Sequence, residues 1–481
     1  MTQTKSPLDD ESLEPSRGPE KKKLAKVAAA AAIGNTIEWY DFFIYGTAAA
    51  LVFPYVFFPE QSPAAATLSS FATFAVAFFA RPVGAIVFGH FGDRIGRKQT
   101  LVWTLIMMGV ATVLIGLIPG YNVGVFGIFE DGIGLWAPTI LVLLRFFQGF
   151  AAGGEWAGAA LLATEYAPQG KRGMMAMWPL LGVPLAFILS SGTFLIYLMA
   201  AGENIDVNSG FIQFGWRIPF LTSAILVMVG LWVRISIEET PVFRNAQKTE
   251  EFRPKTAYTT LPFVDSLKHQ WREILVAAGS LTALFTFFYM GTSFFTNYAT
   301  AELGHSRTTV LALGMVGSLF FAGAIVVSAL LSDRIGRRKV VGAGAALSMA
   351  ISLVIFPILN TGSLAAFAVV LFVTFTISGL FYGPAGAMLP EMFHARYRYS
   401  GVGFGYNLAG ILGGALPPLA AAAMVGAGNT FGLGMMLLAL STLSMFSILI
   451  LKESKNNSMT SDMEPEGVDT DTAPALPSSS S

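Results

Sequence analysis

Arg81-Pro-Val-Gly-Ala-Ile-Val-Phe-Gly-His-Phe-Gly-Asp-Arg-Ile-Gly-Arg-Lys98 decides the fold. An apolar run closes on Gly92-Asp93-Arg94-Ile95-Gly96-Arg97-Lys98, a tight turn with one acid among several bases. The same construction returns in the second half as Leu331-Ser332-Asp333-Arg334-Ile335-Gly336-Arg337-Arg338-Lys339. Matching turns between apolar runs, one in each half, are what a duplicated membrane bundle leaves in its sequence.

Composition agrees. Of 481 residues, 54% are hydrophobic and only 12% charged, where a soluble domain carries about 25% charged residues. Mean hydropathy is +0.60. Formal net charge is zero, so nothing suggests a nucleic-acid partner, and the absence of cysteine excludes disulfides and thiolate metal sites. The four histidines, His90, His269, His305 and His394, fall in or beside predicted loops and form no metal-ligand spacing, so no metal and no cofactor is expected.

Residues 1–25 read as a disordered tail. Lys21-Lys22-Lys23 and Lys26 precede the first apolar run, which is too long for a signal peptide and holds Glu38 and Asp41. Twelve spans follow, at about 26–53, 64–91, 100–119, 137–165, 173–201, 217–237, 272–301, 308–331, 340–359, 364–390, 399–425 and 430–452. The fold class is therefore an all-α membrane protein of two six-helix bundles, 26–237 and 272–452. They are joined by the charged central connection 238–271, and the 453–481 segment reads as a second disordered tail.

Loops on one side carry the Lys and Arg residues (Arg94, Arg97 and Lys98; Lys171 and Arg172; Arg396 and Arg398), and most alternate loops carry none. Both termini are therefore expected in the cytoplasm of a cell in whose plasma membrane the chain sits. Arg307 and Arg217 are the two outer bases that break the bias.

A charge at mid-bilayer costs several kcal/mol on insertion scales, so each intramembrane ionisable residue is a functional candidate. Glu38 and Asp41 lie three apart on one face of the first span, which Tyr45, a candidate substrate contact, continues. Arg81 precedes Pro82 in the second, where a kink is expected. Arg145 and Glu155 lie on the fourth. A carboxylate alternately paired with Arg and protonated can load and release one proton per cycle, and Asp41 with Arg145 is the leading pair, followed by Glu38 and Glu155. A static ion pair that sets helix register is the competing reading. Arg81 fits a substrate carboxylate geometrically, and equally fits as counter-charge to Glu38 or Asp41. The second half offers polar and aromatic groups instead, Tyr289, Asn297, Tyr298, Tyr382, Tyr406 and Asn407. Asn407 stands out, because an amide in lipid has to find a partner.

The two turns suggest a separate device. Asp93 and Asp333 sit beside Arg94, Arg97, Arg334, Arg337 and Arg338, and Glu165 and Glu391 are matching acids on opposing loops. Such clusters can latch two halves together at one face and release when the halves rock.

At these residues the chain resembles the major facilitator superfamily. Gly89-His-Phe-Gly-Asp-Arg-Ile-Gly-Arg-Lys is similar to its loop 2–3 signature, and Arg145-x-x-Gln-Gly to its helix 4 signature. Glu38-Trp-Tyr-Asp-Phe-Phe-Ile-Tyr-Gly, Phe79-Ala-Arg-Pro-Val-Gly-Ala, Gln148-Gly-Phe-Ala-Ala-Gly-Gly-Glu-Trp and Gly215-Trp-Arg-Ile-Pro-Phe resemble motifs of its metabolite:H+ symporter family, with Ala72–Gly84 closest to the shikimate permease branch. The resemblance implies uptake of a small organic anion with protons as coupling ion, by alternating access. It assigns coupling to Asp41 and Arg145, and gating to Asp93, Arg97 and Glu165. The family also moves proline and betaines, often with a coiled-coil tail that is not read in 453–481. An uncoupled facilitator or exporter is the other alternative. A flux-less nutrient receptor would want a folded signalling domain. An enzyme is disfavoured by the lack of cysteine, of histidine at depth and of a Ser–His–Asp set. A monomer suffices.

Overall fold

Inside a bilayer no water bonds the backbone, so each crossing has to be a helix that satisfies its own N–H and C=O groups. The computed structural model follows that rule, and it describes residues 17–95, 97–125, 127–165, 167, 170–201, 209–236, 262–394 and 398–455.

The first six crossings are Arg17–Leu51 (span 1), Pro63–Ile95 (span 2), Arg97–Leu117 (span 3), Trp136–Ala152 continued by Glu155–Glu165 (span 4), Arg172–Leu180 continued by Gly182–Ala201 (span 5) and Ile218–Ser236 (span 6). In the second half, Trp271–Tyr289 passes through a π-turn into Phe295–Ala301 (span 7), followed by Arg307–Ile335 (span 8). Arg337–Ser352 with Ile355–Leu359 forms span 9, and Leu364–Met392 span 10. Arg398–Ala409 passes through a second π-turn into Leu416–Gly426 (span 11), and Thr430–Ile450 is span 12. Among the described residues, eight helices are long and apolar enough to cross a bilayer, and Val102–Leu117 and Trp136–Ala152 are shorter apolar helices.

Helix pairing displays the duplication. Spans 1 and 5, 2 and 4, and 3 and 6 pack together in the first half, as do 7 and 11, 8 and 10, and 9 and 12 in the second. Across the interface span 5 meets span 8, and span 2 meets span 11, the same contact with the halves exchanged. Close approach depends on glycine. A Cβ on Gly149 or Gly153 would strike the backbone of Ala77 or Arg81, and one on Gly84 would strike Phe150, so spans 2 and 4 touch main chain to main chain.

Several expected boundaries shift. Among the described residues span 1 is already helical at Arg17, inside the stretch read as a disordered tail, since Glu-Lys-Lys-Lys-Leu-Ala favours helix. The central connection contains a helix, Pro262–His269. Span 4 breaks at Gly153-Gly154, where low helix propensity and a glycine pair coincide. Span 2 runs on through Pro82 as one helix.

Arg217, which broke the charge bias, is 0% exposed. Its guanidinium donates to the carbonyls of Gly116 (3.0 Å), Ile118 (2.5 Å), Gly124 (3.4 Å) and Gln213 (3.3 Å), and so closes the end of span 3. It is a cap, with no bearing on orientation. Arg217→Met is expected to cost about 1.5–3 kcal/mol, since it orphans several carbonyls. Arg217→Lys should recover only part, lacking the fork. Thermal unfolding in detergent would read both.

Candidate functional site

Two breaks in the apolar pattern of span 1, Glu38 and Asp41, meet the buried charges of spans 2 and 4 around one cavity. Glu38, Trp39, Asp41, Phe42, Arg81, Met108, Arg145, Gln148 and Ala152 line it. Its volume is about 10 Å³, room for about one water molecule. The site is closed. Asp41 is 1% exposed, Arg145 0% and Arg81 6%.

Asp41 and Arg145 do not meet in a direct ion pair. Ser223 Oγ of span 6 donates to Asp41 Oδ1 at 2.5 Å, and Thr112 Oγ1 of span 3 approaches Oδ2 at 3.0 Å. Gln148 Nε2 donates to Thr112 Oγ1 at 2.6 Å, and Arg145 Nη1 donates to Gln148 Oε1 at 3.0 Å. The acid and the base thus stand at two ends of a hydrogen-bonded relay. Two neutral hydroxyls, with Arg145 behind them, offset part of the desolvation cost of the carboxylate.

Arg145 is packed among rings: its Cζ lies 3.9 Å from the centre of Tyr45, 4.4 Å from Phe42 and 5.1 Å from Phe74. Arg81 lies over Phe42 (4.6 Å) and Phe78 (5.0 Å), with Trp39 further off at 5.9 Å. Ring faces attract a guanidinium that has lost its water. Tyr45, read as a substrate contact, is instead buried behind Arg145 with its hydroxyl on Thr73 (2.7 Å). Glu155 accepts from Thr104 at 3.1 Å.

Trp39 is a shared wall. It also lines a second cavity of about 10 Å³, with Val183, Leu284, Phe285, Phe288, Phe321, Tyr382 and Tyr406. This one lies between the halves. Trp156 stacks on Tyr406 with ring centres 3.6 Å apart, and its indole donates to Tyr382 at 3.3 Å. Tyr289 packs edge-on against Phe42 and Phe78 of the first half. The structure therefore brings Arg81, Tyr289, Tyr382 and Tyr406 towards one centre. Asn407 goes elsewhere: its amide donates to Gly153 (3.3 Å), and Tyr399 donates to Gly154 (2.7 Å), both at the break in span 4. Asn297 likewise crosses to Ala50 (2.8 Å), near the other end of the interface, whereas Tyr298 bonds Asn360 within its own half.

At the end bearing the Asp–Arg turns, charges knit the halves. Asp333 accepts the amides of Gly173 (2.9 Å) and Met174 (2.8 Å), a carboxylate from one half capping the first turn of span 5 in the other. Arg337 bonds Asp333 at 2.6 Å and Glu391 at 3.3 Å, and Arg172 reaches Glu391 at 3.4 Å. Asp93, Arg94, Arg97 and Glu165 have side chains outside the described residues. Arg334 contributes its carbonyl to Lys455 (2.7 Å).

Sequence reasoning missed Thr112, Ser223 and Trp156, and took Arg172 for a loop base only. Hydroxyls within apolar runs carry no signal, since Ser and Thr can bond their own helix. Trp156 did carry one, adjoining Glu155 in a Gly-Gly-Glu-Trp stretch. Residues 451–455, partly assigned to a disordered tail, are docked. Glu453 accepts the Arg337 and Arg338 amides (2.8 and 3.2 Å), and Ser454 donates to Glu391 (2.9 Å). Residues 456–481 lie outside the described residues.

Known proteins match this architecture along nearly the whole chain. The family described as sugar (and other) transporter matches residues 27–461. An inner membrane metabolite transport protein of Escherichia coli is 40% identical over 439 residues, covering 90% of this chain and 95% of the relative. A shikimate transporter of the same organism is 38% identical over 430 residues, covering 88% and 93%, and its proline/betaine transporter is 32% identical, covering 90% and 84%. Among solved structures, a crystal structure of a D-xylose-proton symporter superposes with a TM-score of 0.67 at 17% identity, covering 90% of this chain and 99% of that one. That likeness shows the fold. The chain therefore belongs to the sugar (and other) transporter family of the major facilitator superfamily, and is a multi-pass membrane transporter of small metabolites rather than an enzyme.

Proposed function

We propose that this transporter imports a small organic acid together with protons by alternating access, with both termini in the cytoplasm. The observation that carries this reading is the Asp41–Thr112–Gln148–Arg145 relay, which sits against the cavity that Arg81 and Glu38 also line. While Asp41 is ionised it supplies the counter-charge for Arg145. Once protonated it withdraws that charge, and a substrate anion can replace it. Proton and anion are then favoured together.

The groups around the two cavities support an anion rich in acceptors. Trp39 Nε1, Arg81 Nε and Arg145 Nε and Nη2 are buried donors without a hydrogen-bond partner. A carboxylate with further oxygens suits them better than a betaine, whose cationic end accepts nothing. The relative that carries shikimate is 38% identical to this chain, and the one that carries proline and betaine 32%. Under this reading Arg81, Tyr289, Tyr382 and Tyr406 contact substrate, and Glu38 and Glu155 tune the charge around Asp41. The Asp333–Arg337–Glu391 cluster is one half of the cytoplasmic gate, of which Asp93, Arg94, Arg97 and Glu165 form the other.

Uptake by proteoliposomes under an inward proton gradient tests it, with labelled shikimate, α-ketoglutarate, citrate and betaine compared. Native protein should accumulate one acid, and Asp41→Asn should abolish accumulation while retaining exchange. Gradient-independent uptake by both would overturn coupling and favour a facilitator. Accumulation of betaine alone would overturn the substrate class.

A further inference from the structure

The two hydroxyls that hold Asp41 differ in what else they can reach. Thr112 Oγ1 stands between two acceptors, Asp41 Oδ2 at 3.0 Å and the carbonyl of Met108 at 2.9 Å. A threonine hydroxyl has one proton and serves one acceptor at a time. Its oxygen meanwhile accepts from Gln148 Nε2 at 2.6 Å. The orientation of that amide is fixed from the other side, because Arg145 Nη1, 3.0 Å away, can only donate and so requires the Gln148 oxygen. All four side chains are buried.

We propose that Thr112 is a two-position switch, the positioning residue through which the protonation state of Asp41 reaches Arg145. With Asp41 ionised, the Thr112 proton points at Oδ2. When Asp41 takes up a proton, its carboxyl O–H becomes the donor, Thr112 Oγ1 accepts, and the Thr112 proton turns to the Met108 carbonyl. No proton leaves Thr112. The relay to Gln148 stays intact while its far end loses the negative charge, which leaves Arg145 able to take a substrate anion. This rests on the reading of Asp41 as the proton site.

The surroundings leave Thr112 as the adjustable element. Arg145 of span 4 and Arg81 of span 2 are the cations at the cavity, and Glu38 of span 1 is the second acid lining it. Glu155 lies further along span 4, where it accepts from Thr104 at 3.1 Å. Tyr40 and Tyr45 direct their hydroxyls to Thr193 and Thr222, and to Thr73. Tyr289 of span 7 lies beyond Phe42. Spans 3 and 6 meet the carboxylate with Thr112 and Ser223.

An infrared titration of the purified protein needs no substrate. The probe is the proton, and the readout is the carbonyl stretch of a protonated carboxyl, assigned to Asp41 by its loss in Asp41→Asn. Thr112→Val keeps the shape but removes a charge-assisted bond to the ionised form and a weaker, neutral one to the protonated form, so the protonated form gains on balance and the midpoint should rise by about one pH unit. Thr112→Ser should restore the native midpoint. Thr112→Ala, which also lacks the hydroxyl and is smaller, should repeat the shift should the valine variant fail to fold. An unchanged midpoint in the Val and Ala variants would overturn the switch while leaving Asp41 as the proton site. An equal shift in Val and Ser would overturn it also, marking Thr112 as packing. If no Asp41-dependent band titrates in native protein, the proton-site reading fails and the switch with it.

Discussion

Glu391→Ala is expected to destabilise the protein by about 3–5 kcal/mol, because it breaks a buried ionic cluster from its centre. The Glu391 side chain is fully buried, and its oxygens face Arg337, Arg172 and Ser454 at 3.3, 3.4 and 2.9 Å. Removing it leaves two guanidinium groups, 1% and 7% exposed, without that carboxylate. Such a residual charge costs more than the pair contributed. Thermal unfolding in detergent would report the loss, and Glu391→Gln should fall between, keeping shape and some hydrogen bonding. The cluster also spans the interface, with Arg172 in one half and Arg337 in the other. Its loss should therefore open this end more often. The chain has no cysteine, so Ala176→Cys supplies a clean probe. Ala176 is 1% exposed and faces Gly386 of the other half. Labelling by a water-soluble maleimide should be slow in the native background and faster with Glu391→Ala. Native stability together with a native labelling rate would sink the latch.

The second large effect is steric. Gly149→Ala adds one methyl group where the backbone of Ala77 already stands, with Ala77 Cα 2.5 Å and its carbonyl carbon 2.7 Å from the added atom. Backbone cannot swing away as a side chain can, so spans 2 and 4 have to separate. Overpacking of this kind costs about 1–3 kcal/mol, and Gly149→Val should prevent recovery of monodisperse protein. The control is Gly323→Ala on span 8, whose added methyl meets nothing within 4 Å. There the better helix propensity of alanine should stabilise slightly. Equal melting temperatures for Gly149→Ala and Gly323→Ala would show that the helix contact is not main chain to main chain. Because Gln148 and Arg145 ride on the same helix, displacement of span 4 should also disturb the Asp41 relay.

Much of this molecule is legible without coordinates, and the reasons differ by feature. The number of crossings follows from hydropathy, since lipid demands about twenty apolar residues per helix. Candidate charges are legible because buried ionisable groups are costly enough to be rare, and Glu38, Asp41, Arg81, Arg145 and Glu155 stand out for that reason. Partners are less so. Asp41 and Arg145 read as a pair because opposite charges in lipid ought to meet, yet Thr112 and Gln148 stand between them. A hydroxyl costs too little to be conspicuous in a sequence. Arg217 misled in the opposite sense: counted as an outer base at the start of span 6, it proves to be a buried cap.

By itself, then, the sequence determined the all-helical class, the duplication into two halves, and the short set of residues at which charge enters the membrane. Each depends on local composition or on a pattern repeated along the chain, which needs no knowledge of neighbours. Only the tertiary structure decided which groups meet. It placed Ser223 and Thr112 on the two oxygens of Asp41, ringed Arg145 and Arg81 with aromatic faces, and assigned Asn407 to the span 4 break. It also set Asp333 on the first turn of span 5 in the other half. These partners lie on different helices, many residues apart. Their meeting is set by the close packing of glycine-lined helix faces, a property of pairs of surfaces that no single stretch of chain encodes.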